Sequence, residues 1–108
     1  MFRLLMVRRW NRSDADRISR IFHQHDKETD LPEVIGVTRR TLFGFHDLYL
    51  HLVEGEDDFQ ERLYAAVNDQ RFRVIDDQLA KILAPYIPNA PSMAQAQATP
   101  FYEWKRPS

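Results

Sequence analysis

The first third of the chain combines a short apolar run with an amphipathic stretch. Residues 2–10 are apolar in the middle and end at polar positions, which predicts a β-strand. The next stretch, to about residue 26, repeats apolar residues at the i, i+3, i+4 and i+7 positions of a helix, and the last of these positions is a histidine. This stripe consists of Ile18, Ile21, Phe22 and His25.

Two β-branched and aromatic runs follow a polar loop that ends at Pro32. Residues 34–45 and 48–54 are typical of strands, and His46-Asp47 between them forms a tight turn, so together they predict a β-hairpin. A helix with apolar residues from 59 to 67 follows, and a second helical run extends to Pro85.

The remaining residues predict a linker and a last strand. Residues 88–99 are rich in proline, alanine and glutamine, and residues 101–105 form a short aromatic run. The resulting β-α-β-β-α-β order is the ferredoxin-like arrangement, an α+β fold in which helices cover one face of a four-stranded antiparallel sheet. We expect one domain over residues 1–108.

The hairpin turn fixes which side chains share a face. A turn centred on His46-Asp47 pairs residues whose numbers sum to 93, and side chains alternate along each strand. One face then mixes apolar and polar groups, and the other is strongly apolar. The mixed face carries Arg40, Leu42, Tyr49, His51 and Val53. The apolar face carries Arg39, Thr41, Phe43, Phe45, Leu48, Leu50 and Leu52.

Two helices can cover only one face of such a sheet. The other face would expose more apolar surface than a monomer normally does, so we expect a homodimer in which two sheets pack together. We expect the leucine-rich face to form this contact, which turns Arg40, Tyr49 and His51 towards the helices and an internal cleft. The opposite assignment of the two faces stays open.

Composition excludes several function classes. The 108 residues carry 15 basic and 16 acidic side chains, which gives a net charge of −1. The chain therefore lacks the excess of positive charge that is typical of nucleic-acid-binding proteins. There is no cysteine for a disulfide, a zinc-thiolate site or a thiol nucleophile. His23 and His25 lie about 200° apart on a helix, which disfavours a shared metal. No apolar run suits a membrane span or a signal peptide, so we expect a cytoplasmic protein.

The candidate chemistry is acid–base chemistry on the mixed face. Arg40 and His51 are diagonal neighbours there, and the helix-borne pair His25-Asp26 ends near the same cleft. Asp26 falls near a helix C-terminus, where a carboxylate needs a cationic partner or a raised pKa. Taken singly, each residue also fits a structural role, such as a core histidine or a solvated strand arginine.

The chain resembles the small type II aromatic polyketide cyclases of the tetracenomycin F2 cyclase type. The resemblance rests chiefly on the stretch from Ile35 to Leu52, with its core Leu-Phe-Gly-Phe-His-Asp-Leu-Tyr-Leu-His. Other segments match in order along nearly the whole chain. They are His25-Asp26, Leu31-Pro32, Glu61-Arg62-Leu63-Tyr64, Pro85-Tyr86 and Phe101-Tyr102-Glu103-Trp104.

This resemblance implies a dimeric α/β-barrel enzyme that closes a ring of a poly-β-ketone intermediate by aldol condensation and loss of water. It implies no metal or organic cofactor, and it places the functional residues at His25, Asp26, Arg40 and His51. His51 or His25 would act as base and acid, and Arg40 would stabilise the oxyanion. Asp26 would orient a histidine or act as an acid.

Other expectations concern partners and alternatives. Phe22, Leu42 and Tyr49 are expected to contact a hydrophobic polyketide substrate. A transient contact with a polyketide synthase or an acyl carrier protein stays open, as do a cofactor-free oxygenase of the same barrel class and a non-enzymatic binding or chaperone-like subunit. Contact with nucleic acid or a membrane is not expected.

Overall fold

The centre of the protein is a four-stranded antiparallel sheet, described by a computed structural model over residues 2–90 and 92–108. The strands are β1 (Phe2–Arg9), β2 (Val37–Phe45), β3 (Leu48–Gly55) and β4 (Ala84–Pro85). Their spatial order is β2-β3-β1-β4. This order and the βαββαβ chain path confirm the predicted ferredoxin-like α+β fold.

Five α-helices accompany the sheet within the described residues. They are α1 (Ala15–Glu28), α2 (Leu31–Ile35), α3 (Phe59–Ala65), α4 (Gln70–Ala80) and α5 (Met93–Ala96). Helix α1 places Ile18 and Phe22 in the core, and α4 does the same with Ile75 and Leu79. None of these helices is both long and apolar enough to cross a bilayer.

The predicted register of the hairpin is confirmed. Gly44 pairs with Tyr49, Leu42 with His51 and Arg40 with Val53. The turn places His46 at a φ of 51°, and the Trp10 indole N–H donates to the His46 carbonyl over 2.9 Å.

The helices cover the mixed face of the sheet, as expected. Tyr49, His51 and Val53 are each at most 5% exposed, whereas Leu48, Leu50 and Leu52 alternate with them as half-buried residues. Strand β1 continues both faces, with Leu4 and Met6 buried on the helix side. We call the opposite side the outer face. It consists of Leu5, Val7, Thr41, Phe43, Phe45, Leu48, Leu50 and Leu52.

The predicted start of β2 at residue 34 is wrong. Residues Leu31–Ile35 form helix α2, with a proline in the first turn and Leu31 and Ile35 buried one turn apart. Gly36 ends this helix in the left-handed conformation, with a φ of 89°, and its N–H donates to the Pro32 and Glu33 carbonyls. This cap and the i, i+4 burial outweigh the strand preference of Val34 and Ile35.

The predicted last strand at residues 101–105 is also wrong. Ala84–Pro85, expected to end a helix, pairs with Arg8 and Arg9 and supplies the fourth strand. The predicted linker over residues 88–99 contains α5, and its Gln97 bridges to Met6. The outer edge of β1 is therefore occupied at Met6, Arg8 and Arg9, and Phe101, Tyr102 and Trp104 remain 68–99% exposed.

Candidate active site

A cleft separates the mixed face of the sheet from the helices above it. Most of its lining is apolar and comes from β1, α2, α3 and α4, including Met6, Ile35, Leu63 and Ile75. An apolar cavity with a few convergent polar groups is typical of small-molecule sites. The polar lining residues are Arg8, His25, Arg40, His51 and Asp76.

Arg40 holds Asp26 in a two-point ion pair. Its Nε donates to Oδ2 of Asp26 over 3.0 Å, and its Nη2 donates to Oδ1 over 2.9 Å. The Arg40 side chain is 16% exposed and the Asp26 side chain 37%. The predicted cationic partner of Asp26 is therefore Arg40, and this pair ties β2 to the end of α1.

The same guanidinium fixes the protonation of His51. Nη1 of Arg40 lies 2.9 Å from Nε2 of His51. Since arginine only donates, Nε2 must accept and carries no proton. The ring is then neutral, and its proton is on Nδ1.

Burial supports this neutral form of His51. The ring is on the central strand, and the residue is 5% exposed. Burial, together with the positive charges of Arg40 and Arg8, lowers the pKa of His51 to about 3. At neutral pH this imidazole is a hydrogen-bond donor and a weak base.

His25 differs from His51 in its side-chain hydrogen bonding. It projects from the last turn of α1 into the cleft, is half-buried, and its side chain forms no hydrogen bond with another described residue. Burial and the nearby Arg40 lower the pKa of His25 below its ordinary value, while Asp26 acts in the opposite direction. The ring is therefore mostly neutral at pH 7 and free to accept a proton.

Phe22 packs against both the His51 ring and the Arg40 guanidinium. Its ring meets the His51 ring edge-on at 5.1 Å, and the Arg40 guanidinium carbon lies 4.8 Å from the Phe22 ring centre. Such contacts hold rings and guanidinium groups in fixed orientations. Phe22 also lines the cleft, where it was expected to contact substrate.

Comparison with known proteins places this geometry in a family. The family model described as polyketide synthesis cyclase matches residues 2–105. The chain belongs to this cyclase family. The match spans both strands and helices of the cleft, so the resemblance seen in the sequence is confirmed.

Individual relatives of this polyketide cyclase agree. The chain is 42% identical over 106 residues to tetracenomycin F2 cyclase of Streptomyces glaucescens, covering 98% of this chain and 96% of the relative. It is 33% identical over 107 residues to polyketide synthase CurG of Streptomyces cyaneus, covering 98% and 99%. A solved structure of tetracenomycin F2 cyclase, a type-II polyketide cyclase, superimposes with a TM-score of 0.89 at 41% identity, covering 99% of this chain and 100% of that one.

Two predicted substrate contacts lie elsewhere in this polyketide cyclase. Leu42 and Tyr49 line a separate pocket beside Trp10 and Ile18. The Tyr49 hydroxyl is buried without a hydrogen-bond partner in the described residues, and burial raises its pKa above its ordinary value. A role for either residue in binding substrate stays a prediction.

Arg8 and Asp76 are cleft residues of the cyclase that sequence reasoning missed. Arg8 follows Leu4 and Met6 at every second position of β1, so it shares their inward face. The alternation of side chains along β1 is therefore the sequence signal that places Arg8 in the cleft. Asp76 is an exposed residue of α4 that still lines the cleft, four positions after Phe72 and three before Leu79, and this helical spacing is its signal in the sequence.

Proposed function

We propose that the cleft closes a ring in a poly-β-ketone intermediate by intramolecular aldol condensation and loss of water, without a metal or organic cofactor. The observation that carries the proposal is the arrangement of two different histidines around one arginine. His51 is held neutral by Arg40, which is itself bound to Asp26, and His25 faces the same cleft unengaged.

This arrangement supports different roles for the two histidines. His25 would act as the general base, since a mostly neutral, unengaged imidazole can accept a proton near pH 7. His51 would donate its Nδ1 proton in a hydrogen bond to a substrate oxygen, because its pKa of about 3 suits a donor better than a base.

Arg40 and Asp26 would support the oxyanion. Three of the five guanidinium N–H groups of Arg40 are used by Asp26 and His51, which leaves two for a substrate oxygen. Preorganised donors of this kind stabilise the negative charge that develops on an enolate or alkoxide. Asp26 would be a positioning residue, because it holds Arg40 and not the substrate.

The chemistry balances without redox. His25 removes a proton from a carbon between two carbonyls, and the resulting enolate carbon bonds to a ketone carbon elsewhere in the chain. The ketone oxygen takes up a proton to give a hydroxyl. Loss of a second carbon-bound proton and of that hydroxyl releases one water. The apolar walls would fold the chain so that one pair of carbons meets.

A direct test incubates the purified protein and EDTA with a partly cyclised aromatic polyketide, in air and under nitrogen. We expect a product lighter by one water in both atmospheres, formed faster than in a protein-free blank. Chromatography with mass detection measures both. A product heavier by one oxygen and formed only in air would instead indicate an oxygenase. No acceleration over the blank would contradict catalysis of this substrate.

The outer face supports a homodimer. It carries Phe43 and Phe45, which are 50% and 63% exposed, beside half-buried leucines of β3. A contiguous apolar surface of this kind is typical of a protein interface. We infer that a second copy covers it, so that two sheets pack face to face.

Phe43→Asp is expected to convert this dimer to a monomer, because it places a charge inside the sheet contact. Sedimentation equilibrium measures the mass. Val74→Asp is the matched control, since Val74 is 49% exposed but lies on α4, away from the sheet. A monomeric unmodified protein, or a Phe43→Asp variant that still dimerises, would contradict the contact.

A further inference from the structure

Arg8 is the cation of the cleft whose charge is not matched by an ion pair. Arg40, the other cleft arginine, is held by Asp26 at two points. The Arg8 side chain is half-buried and forms no hydrogen bond or ion pair with any residue of the ranges 2–90 and 92–108. Asp76, the acidic residue that lines the same cleft, is exposed and forms no ion pair with it.

The sheet register places Arg8 beside the reaction centre but not at it. Met6 lies across from His51, and Arg8 lies one inward position further along β1, across from Tyr49. Diagonal neighbours of this kind have backbones roughly 7–8 Å apart. Arg40 occupies the opposite diagonal of His51, because it pairs with Val53. The two arginines therefore flank His51 on opposite sides.

The electrostatic effect of Arg8 reaches the groups of the cleft. Its positive charge is one of the causes that lower the pKa of His51, after burial and Arg40. It also lowers the pKa of the Tyr49 hydroxyl, which burial raises. A half-buried, uncompensated cation with walls of low polarity attracts an anion more strongly than an exposed arginine does.

From this placement we propose that Arg8 is a specificity-determining residue that binds a carboxylate substituent of the substrate, at a distance from the carbons that react near His51. A planar guanidinium with free N–H groups matches the two oxygens of a carboxylate. A substrate carboxylate bound to Arg8 would fix which part of the folded polyketide chain lies between His25 and His51. This inference rests on the proposed cyclisation for its substrate, but not for its binding site.

The test measures binding without turnover. Two probes, 2-naphthoate and its neutral counterpart 2-naphthamide, are titrated into the isotopically labelled full-length protein, and NMR shifts give each Kd. We expect the carboxylate to bind about 10-fold more tightly than the amide, as one charge-assisted contact at a half-buried site predicts. In Arg8→Gln this preference is expected to disappear while amide binding is unchanged.

Two further variants sharpen the result. Arg8→Lys keeps the positive charge but not the planar pair of N–H donors, so part of the preference for the carboxylate should remain. Arg17→Gln removes the same charge from an exposed position on α1, and its preference should equal that of the unmodified protein. An unmodified protein that does not prefer or does not bind the carboxylate, or an Arg8→Gln variant that keeps the preference, would overturn the proposal.

Turnover supplies an independent readout. With a carboxylated polyketide, Arg8→Gln should raise KM about 10-fold and leave kcat nearly unchanged, because the contact is the same in the ground state and the transition state. If the cyclisation assay fails but Arg8 still governs naphthoate binding, the anion site stands and the proposed reaction falls. If cyclisation succeeds and Arg8→Gln changes neither KM nor the probe preference, the proposed reaction stands and the anion site falls.

Discussion

Replacing His25 by alanine is expected to lower kcat by about 10²- to 10⁴-fold, the contribution of a general base. The effect should appear in kcat and kcat/KM alike, because proton removal occurs only in the transition state. Steady-state rates are measured after subtraction of the protein-free rate, which is needed because poly-β-ketone chains cyclise spontaneously. His23→Gln is the matched control, since it removes an exposed imidazole from the same helix.

The pH profile separates a base from a merely structural histidine. Burial and Arg40 lower the pKa of His25, so the acid limb of the unmodified enzyme should have its midpoint below about 6.5. His25→Ala should lose this limb, and added imidazole should restore part of the rate. If His25→Ala keeps the unmodified rate and product, His25 is not the base.

The sequence predicted the central part of the site because hairpin geometry is strict. A two-residue turn at His46-Asp47 leaves one register, and the period of two then assigns every side chain to a face. This register predicts that Arg40 and His51 are neighbours, and their contact at 2.9 Å agrees. For Asp26 the sequence predicts only a cationic partner or a raised pKa, from the cost of a carboxylate near a helix C-terminus, and the structure shows that Arg40 is its partner.

Other features depended on tertiary context that no local pattern carries. Val34 and Ile35 favour a strand, yet they lie in α2 because Gly36 caps a helix whose Leu31 and Ile35 fill the core. Aromatic residues 101–105 favour a strand, yet they pair with no strand, and Ala84–Pro85 and Gln97 occupy the outer edge of β1 at Arg8, Arg9 and Met6. Strand propensity therefore failed where a capped, buried helix or an occupied sheet edge outweighed it.

The distinct roles of the two histidines also depend on the assembled fold. The sequence left either His25 or His51 as the base, because both lie near the same cleft. Only the contact of Nε2 of His51 with a group that must donate distinguishes them. Protonation states are set by burial and partners, and these are properties of the assembled fold.

Removing the imidazole of His51 is expected to make the protein markedly less sensitive to acid. In the unfolded chain this histidine binds a proton as the pH falls through about 6.5. In the folded protein, burial and then Arg40 and Arg8 lower its pKa to about 3. Between these values the unfolded state binds one more proton, so this group makes the free energy of unfolding fall with decreasing pH by roughly 1.4 kcal/mol per pH unit.

His51→Gln removes this proton uptake while its amide oxygen can still accept a hydrogen bond from Arg40. Urea unfolding at pH 7, 6 and 5 measures the slope, which should be smaller in His51→Gln by about one proton. His25 acts in the same direction in both proteins, so some slope should remain. His23→Gln, at an exposed position of α1, is the control for the substitution itself.

The outcome also decides the proposed chemistry of His51. An unchanged slope in His51→Gln would mean that the ring is protonated in the folded protein at mildly acid pH. Nε2 could then not accept from Arg40, and the contact at 2.9 Å would be repulsive. A reduced slope, together with imidazole ¹⁵N shifts of a neutral Nδ1–H ring down to pH 5, would establish the donor that the oxyanion requires. The acid stability of the fold and the assignment of donor and base therefore rest on the same proton.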